Sequence, residues 1–89
     1  MIELHAIVRG RVQLVMYRDF TQRTASKLDV TGFVFNRPDG AVEVVAQGER
    51  AALEKLLEAL DRGSLLSHVD SVESEWREPV KPFDDFAIV

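Results

Sequence analysis

The hydrophobic pattern of this chain changes period at positions 10–18, and that change constrains the fold more than any other feature. Before it, Ile2, Leu4, Ala6 and Val8 alternate with Glu3, His5, Ile7 and Arg9. Period two over this run predicts a half-buried strand over 2–9, with the even positions inward. After it, Tyr17, Thr21, Thr24, Ala25 and Leu28 recur at helical spacing with Phe20 beside them, while Asp19, Gln22, Arg23, Ser26 and Lys27 fill the other side. That is an amphipathic helix of about three turns beginning near Arg18. The linking stretch, Gly-Arg-Val-Gln-Leu-Val-Met-Tyr-Arg, therefore delivers a strand into a helix N-terminus. Such a turn points unpaired backbone N–H groups and the positive end of the helix dipole at one spot, which suits an anion. The dipole disfavours a cation in the first helical turn unless an anion lies between them. Arg18 reads either as half of a phosphate or carboxylate site or as a solvated surface arginine.

The rest of the chain supplies further elements. Positions 30–37 are rich in strand formers, among them Phe33, Val34 and Phe35. Arg37-Pro38-Asp39-Gly40 is a turn signal, and positions 41–47 make a second hairpin arm with Val42, Val44 and Ala46 inward and Glu43, Val45 and Gln47 outward. Asn36 stands at the end of the first arm, where turn chemistry explains an asparagine as readily as function does. Leu53, Leu56, Leu57 and Leu60 form a helical stripe over 49–61, and Gly63 suits the C-terminus of that helix. Positions 67–78 read as a strand in which Val69 and Val72 have opposite parity, so burying both requires a bulge or a twist between them. Pro79 and Pro82 interrupt the chain before Phe83, Phe86 and Ile88 suggest a short edge strand.

Strand, helix, strand, strand, helix, strand, with a short strand appended, is two strand–helix–strand crossovers around a hairpin. The expected fold is α+β, a ferredoxin-like α/β sandwich (βαββαβ). Its antiparallel sheet has the Val42 strand central, both helices on one face and a short extra C-terminal edge strand. The whole of 1–89 is expected to form a single domain.

Composition narrows the function classes. Cysteine is absent, which removes thiolate nucleophiles, disulfides and cysteine-ligated metals. His5 and His68 are the only histidines, and no acidic spacing completes a metal set around them, so no metal is expected. The net charge of −4 runs against a nucleic-acid partner, although the sandwich architecture also occurs in RNA-binding domains that read bases with aromatic residues on exposed strands. It does not run against a small anion bound by one local arginine. The start, Met-Ile-Glu-Leu-His, has neither the basic stretch nor the apolar core of a signal peptide, and no apolar run approaches the ~20 residues that span a membrane. A cytoplasmic protein without a membrane partner is expected.

Positions 10–18 resemble the first signature of the acylphosphatase family: glycine, any residue, Val-Gln-Gly-Val, any residue, Phe or Tyr, then Arg. Gly32-Phe33-Val34-Phe35-Asn36, followed by Asp39-Gly40 and Val42-Glu43-Val44, resembles the second, and Gly48 with the helix after it also falls where the family has them. The resemblance covers essentially the whole chain. It implies an enzyme that hydrolyses the carboxyl-phosphate bond of small acylphosphates without metal or cofactor; a monomer is expected, although the sequence does not name the oligomeric state. It further implies Arg18 and Asn36 as catalytic residues, Arg18 binding the phosphoryl group and Asn36 positioning the attacking water. The loop Gln13, Leu14, Val15, Met16, Tyr17 and Arg18 would bind substrate through its amides. The physics agrees: a guanidinium offers a bidentate fork to phosphate oxygens, and a carboxamide holds water as donor and acceptor.

Three positions depart from the family pattern. Phe33 replaces the commoner tryptophan, Phe35 stands where a basic residue is frequent, and Leu14 occupies the place of a glycine. The last opens an alternative, a phosphate- or carboxylate-binding module that is weakly active or inactive because its loop is altered. A positive φ at Leu14 would cost on the order of 1–2 kcal/mol. Leu14→Gly is therefore expected to raise kcat/KM on an acylphosphate, since each amide aligned on developing charge contributes about 1–3 kcal/mol. Equal or lower activity in the glycine variant means that the loop already accommodates leucine in a competent conformation.

Overall fold

Leu4, Ala6 and Val8 are fully buried, as period two requires, and each meets a small or branched partner across the sheet. They belong to β1 (Ile2–Arg11) and pair antiparallel with β3 (Val42–Gly48) in the register Leu4↔Ala46, Ala6↔Val44 and Val8↔Val42. A slip of one residue would turn this whole set to the opposite face, so burial fixes the register. The computed structural model describes residues 1–13, 15–79 and 81–89. The remaining elements are α1 (Tyr17–Lys27), β2 (Thr31–Asn36), α2 (Arg50–Arg62), β4 (His68–Arg77) and β5 (Phe86–Ile88). The strand order is β4-β1-β3-β2-β5, with β3 central as expected. The edge strand β5 is the one that runs parallel to its neighbour β2.

Both helices cover the same face. Leu53, Leu56 and Leu60 of α2 and Tyr17 and Ala25 of α1 join Leu4, Val8, Val34, Val42 and Val44 in one buried cluster. Burying each leucine contributes about 1.5–3 kcal/mol, which makes the α2 stripe the largest helical contribution to the core.

The opposite face departs from the sequence reading. Glu3, Val45 and Gln47 do lie on that face, but they are buried and not solvent-facing. The cause is the stretch after β4, which returns across the sheet. Gln47 Nε2 donates to the Lys81 carbonyl at 2.6 Å and to Glu3 Oε1 at 2.9 Å, and Arg77 Nε donates to Glu3 Oε2 at 2.5 Å. Phe83 meets Phe33 edge-on with centroids 5.4 Å apart. The buried Glu3 carboxylate is thus paired and hydrogen-bonded, which a buried charge requires. An RNA-reading sheet face, by contrast, needs these central positions open.

Of the bulge or twist that Val69 and Val72 allow, the structure has the bulge. Arg9 pairs with Ser71, but Gly10 pairs with Val69, leaving Asp70 as the extra residue of β4. Both valines consequently pack against the core. The bulge also lets β1 keep pairing through Arg11, beyond the expected end of the strand. Gly10 sits at φ 134°, and a Cβ there would lie 2.1 Å from the His68 carbonyl oxygen. Gly10→Ala is accordingly expected to lower stability by at least about 2 kcal/mol in urea unfolding, because both backbone and neighbour must move. A loss under about 0.5 kcal/mol would mean that the bulge yields freely.

Candidate active site

The loop between β1 and α1 is held at three points. Val12 is buried in the core. The Gln13 side chain crosses to the β2–β3 turn, where Nε2 donates to the carbonyls of Arg37 and Ala41, both at 2.9 Å. Tyr17, the first residue of α1, sends its ring into the core and donates its hydroxyl to the Leu60 carbonyl at 2.7 Å. Burial, reinforced by the nearby Asp61 charge, pushes the Tyr17 phenol well above its ordinary pKa. Met16 caps the helix in the left-handed conformation, φ 59° and ψ 27°, and its carbonyl accepts the first helical bond from Phe20 N at 3.0 Å. The amides of Tyr17, Arg18 and Asp19 precede that bond and have no partner inside the helix.

A cavity of about 340 Å³ opens at this helix end. Arg18 and Asn36 both line it, with Met16, Tyr17 and Asp19 beside them and Val12 and Ile88 closing its apolar side. Of the residues expected from the sequence, Met16, Tyr17, Arg18 and Asn36 thus meet at one cavity, whereas Gln13 and Val15 do not line it. Leu14 lies outside the described residues. Asp19 and Ile88 were not anticipated. Asp19 had a signal, an acidic side chain in the first helical turn next to Arg18, where the dipole favours it. Ile88 had none, because β5 reaches the site only through its parallel pairing with β2.

Arg18 is partly exposed, and its Nη1 donates to the Val89 main-chain oxygen at 3.4 Å, a long bond that leaves most of the fork unused. Asn36 is the last residue of β2, paired with Val42. Its Oδ1 is buried and finds no hydrogen-bond partner among the described residues. An unmatched buried acceptor costs about 1–3 kcal/mol, so this oxygen calls for a donor that the described residues do not supply.

The turn behind Asn36 is held by charge. Asp39 accepts from Ala41 N at 3.1 Å and pairs with Arg37 at 3.2 Å, and these two contacts, the amide first, hold its carboxyl below the usual range. Glu43 lies 2.8 Å from His5 Nε2 and accepts from Arg37 Nη1 at 2.9 Å. Burial opposes its ionisation, but the bonds from His5 and Arg37 outweigh that and lower its pKa. Among the described residues, no group of three or more His, Cys, Asp or Glu side chains is arranged to hold a metal ion. Among the described residues, no helix is long and apolar enough to cross a membrane.

Comparison with known proteins identifies the lineage. The sequence model of the acylphosphatase family matches residues 4–88. An acylphosphatase of Mycolicibacterium vanbaalenii is 48% identical over 85 residues, covering 96% of this chain and 91% of the relative. One from Thermus thermophilus is 49% identical over 78 residues, covering 88% and 89%. The crystal structure of acylphosphatase from Bacillus subtilis superposes with a TM-score of 0.96 at 38% identity, over 100% of this chain and 99% of that one. The chain belongs to the acylphosphatase family.

Proposed function

We propose that this protein is an acylphosphatase, hydrolysing the carboxyl-phosphate bond of small acylphosphates to carboxylate and inorganic phosphate. One observation carries the reading: Asn36, whose buried Oδ1 has no hydrogen-bond partner among the described residues, lines the same cavity as Arg18 at a helix N-terminus. The Arg18 fork and the amides of Tyr17, Arg18 and Asp19 bind the phosphoryl oxygens. Asn36 Oδ1 accepts a hydrogen bond from a water and aims its oxygen at phosphorus. As the P–O bond to water forms, the bond to the acyl oxygen breaks on the opposite side. The acyl group leaves as a carboxylate, and a water proton passes to the phosphoryl group. A carboxylate is a good leaving group, so positioning and charge stabilisation carry the reaction without a strong general base. Gln13 acts through the β2–β3 turn, holding the strand that ends at Asn36 against the loop that leads to Arg18. The protein acts as a single domain over 1–89, a cytoplasmic monomer with no cofactor and no nucleic-acid partner.

Steady-state kinetics on one acylphosphate test these roles. Arg18→Ala is expected to lower kcat/KM by at least about 100-fold and to weaken inhibition by inorganic phosphate, with Arg18→Lys a poor substitute because it lacks the planar fork. Undiminished inhibition of the alanine variant would remove Arg18 from anion binding. Asn36→Ala is expected to lower kcat by about 100-fold while KM stays nearly constant, since water positioning belongs to the chemical step. A variant with raised KM and parental kcat would contradict this role, and full activity would return Asn36 to turn chemistry.

A further inference from the structure

A second cavity adjoins the first at Met16. It has a volume of about 330 Å³ and is walled by Val15, Met16 and Phe20 on the α1 side and by Leu65 and Leu66 on the loop between α2 and β4. Leu65 is 97% exposed, Leu66 65% and Met16 71%, three large apolar side chains left in water around one groove. Gly63 and Ser64 also line it, and Arg23, the one charged lining residue among those described, is paired with Asp19 at 2.8 Å.

We propose that this groove binds the acyl part of the substrate and makes the protein selective for acylphosphates with an apolar chain. The inference rests on the acylphosphatase reading above and extends it to substrate class. In-line displacement puts the leaving carboxylate opposite the attacking water. Asn36 lines the first cavity and not the second, and Met16 lines both. A phosphoryl group at Arg18, with its water on the Asn36 side, therefore directs its acyl group past Met16 into the groove. An alkyl chain covers the exposed leucines, whereas an acetyl group is too short to reach them. The Asp19–Arg23 pair at the lip neutralises both charges, so the groove offers no free charge to an acidic or basic acyl group.

The test is kcat/KM for acetyl, butanoyl and hexanoyl phosphate in the parent and in the double variant Leu65→Ser, Leu66→Ser. Both leucines are exposed, and the inhibition constant of inorganic phosphate checks that the phosphoryl site is intact. The parent is expected to favour hexanoyl over acetyl phosphate by roughly tenfold, and the double variant by about twofold or less. A flat chain-length series in the parent, or a double variant that keeps the preference, overturns the subsite while leaving the acylphosphatase reading standing. A parent that hydrolyses none of the three overturns that reading and the subsite together. Sedimentation velocity at assay concentration covers the remaining occupant. A parental dimer that the double variant loses, with the hexanoyl-to-acetyl ratio unchanged, would assign the groove to a second copy of the chain.

Discussion

The carboxamide of Gln13 is the contact on which the site geometry depends. Its nitrogen reaches two carbonyls, those of Arg37 and Ala41, on either side of the β2–β3 turn. A bond to one would leave the turn free to pivot, but bonds to both fix its orientation. On one side of this clamp the chain runs to Met16, Tyr17 and Arg18. On the other it runs one residue back from Arg37 to Asn36. Two groups that line one cavity thus come from segments far apart in sequence, and in a reaction site misplacement by about 1 Å can cost on the order of 100-fold in rate. Tyr17 completes the arrangement from beneath, since its hydroxyl on Leu60 ties the start of α1 to α2 and prevents the helix end from tipping.

Electrostatics support the same turn from outside. Asp39 and Glu43 share the Arg37 guanidinium, Arg9 reaches Asp39, and both carboxyls titrate below their ordinary values. The sign follows from linkage. A carboxyl whose folded pKa is lowered contributes stability above its unfolded pKa, and that contribution fades as pH falls through the folded value. Acid therefore loosens the turn behind Asn36. These pairs are largely solvated, so they tune the turn and do not hold the fold, which the buried leucines and valines do.

Much of this architecture was legible because its signals are periodic. The alternation of Leu4, Ala6 and Val8 and the leucine stripe of α2 each name an element and its buried face, and the parity clash of Val69 with Val72 marks an irregularity, bulge or twist, that Gly10 resolves as a bulge. What periodicity cannot carry is burial created by a distant segment. Glu3, Val45 and Gln47 occupy positions that alternation assigns to solvent, and they are covered only because an aperiodic stretch interrupted by Pro79 and Pro82 returns over them. The pairing of Glu3 with Arg77 and Gln47 joins three strands, a coincidence no local window contains. Of the residues lining the first cavity, Arg18 is pointed to by the helix-end argument and the family resemblance, and Asn36 by the resemblance alone. Ile88 is pointed to by neither, because a three-residue strand gives no hint of its partner.

The unpartnered oxygen of Asn36 is informative only through its location. Gln47 Oε1 is also buried without a hydrogen-bond partner among the described residues, yet it lies under the returning segment, with its own amide nitrogen held by Glu3 and Lys81. Each oxygen costs about 1–3 kcal/mol relative to a satisfied one. For Gln47 that cost accompanies two bonds at 2.9 and 2.6 Å that fasten the cover onto the sheet, so the structure recovers it locally. Asn36 makes no comparable side-chain bond among those described, and the residue lines a cavity shared with a cation and a helix N-terminus. A cost with no structural return is tolerated where a ligand or water supplies the missing donor, which is how strain and unsatisfied groups collect at functional sites. The contrast between two amides with buried oxygens on neighbouring strands thus separates the one fastened into the sheet cover from the one placed on the wall of the cavity at the helix end.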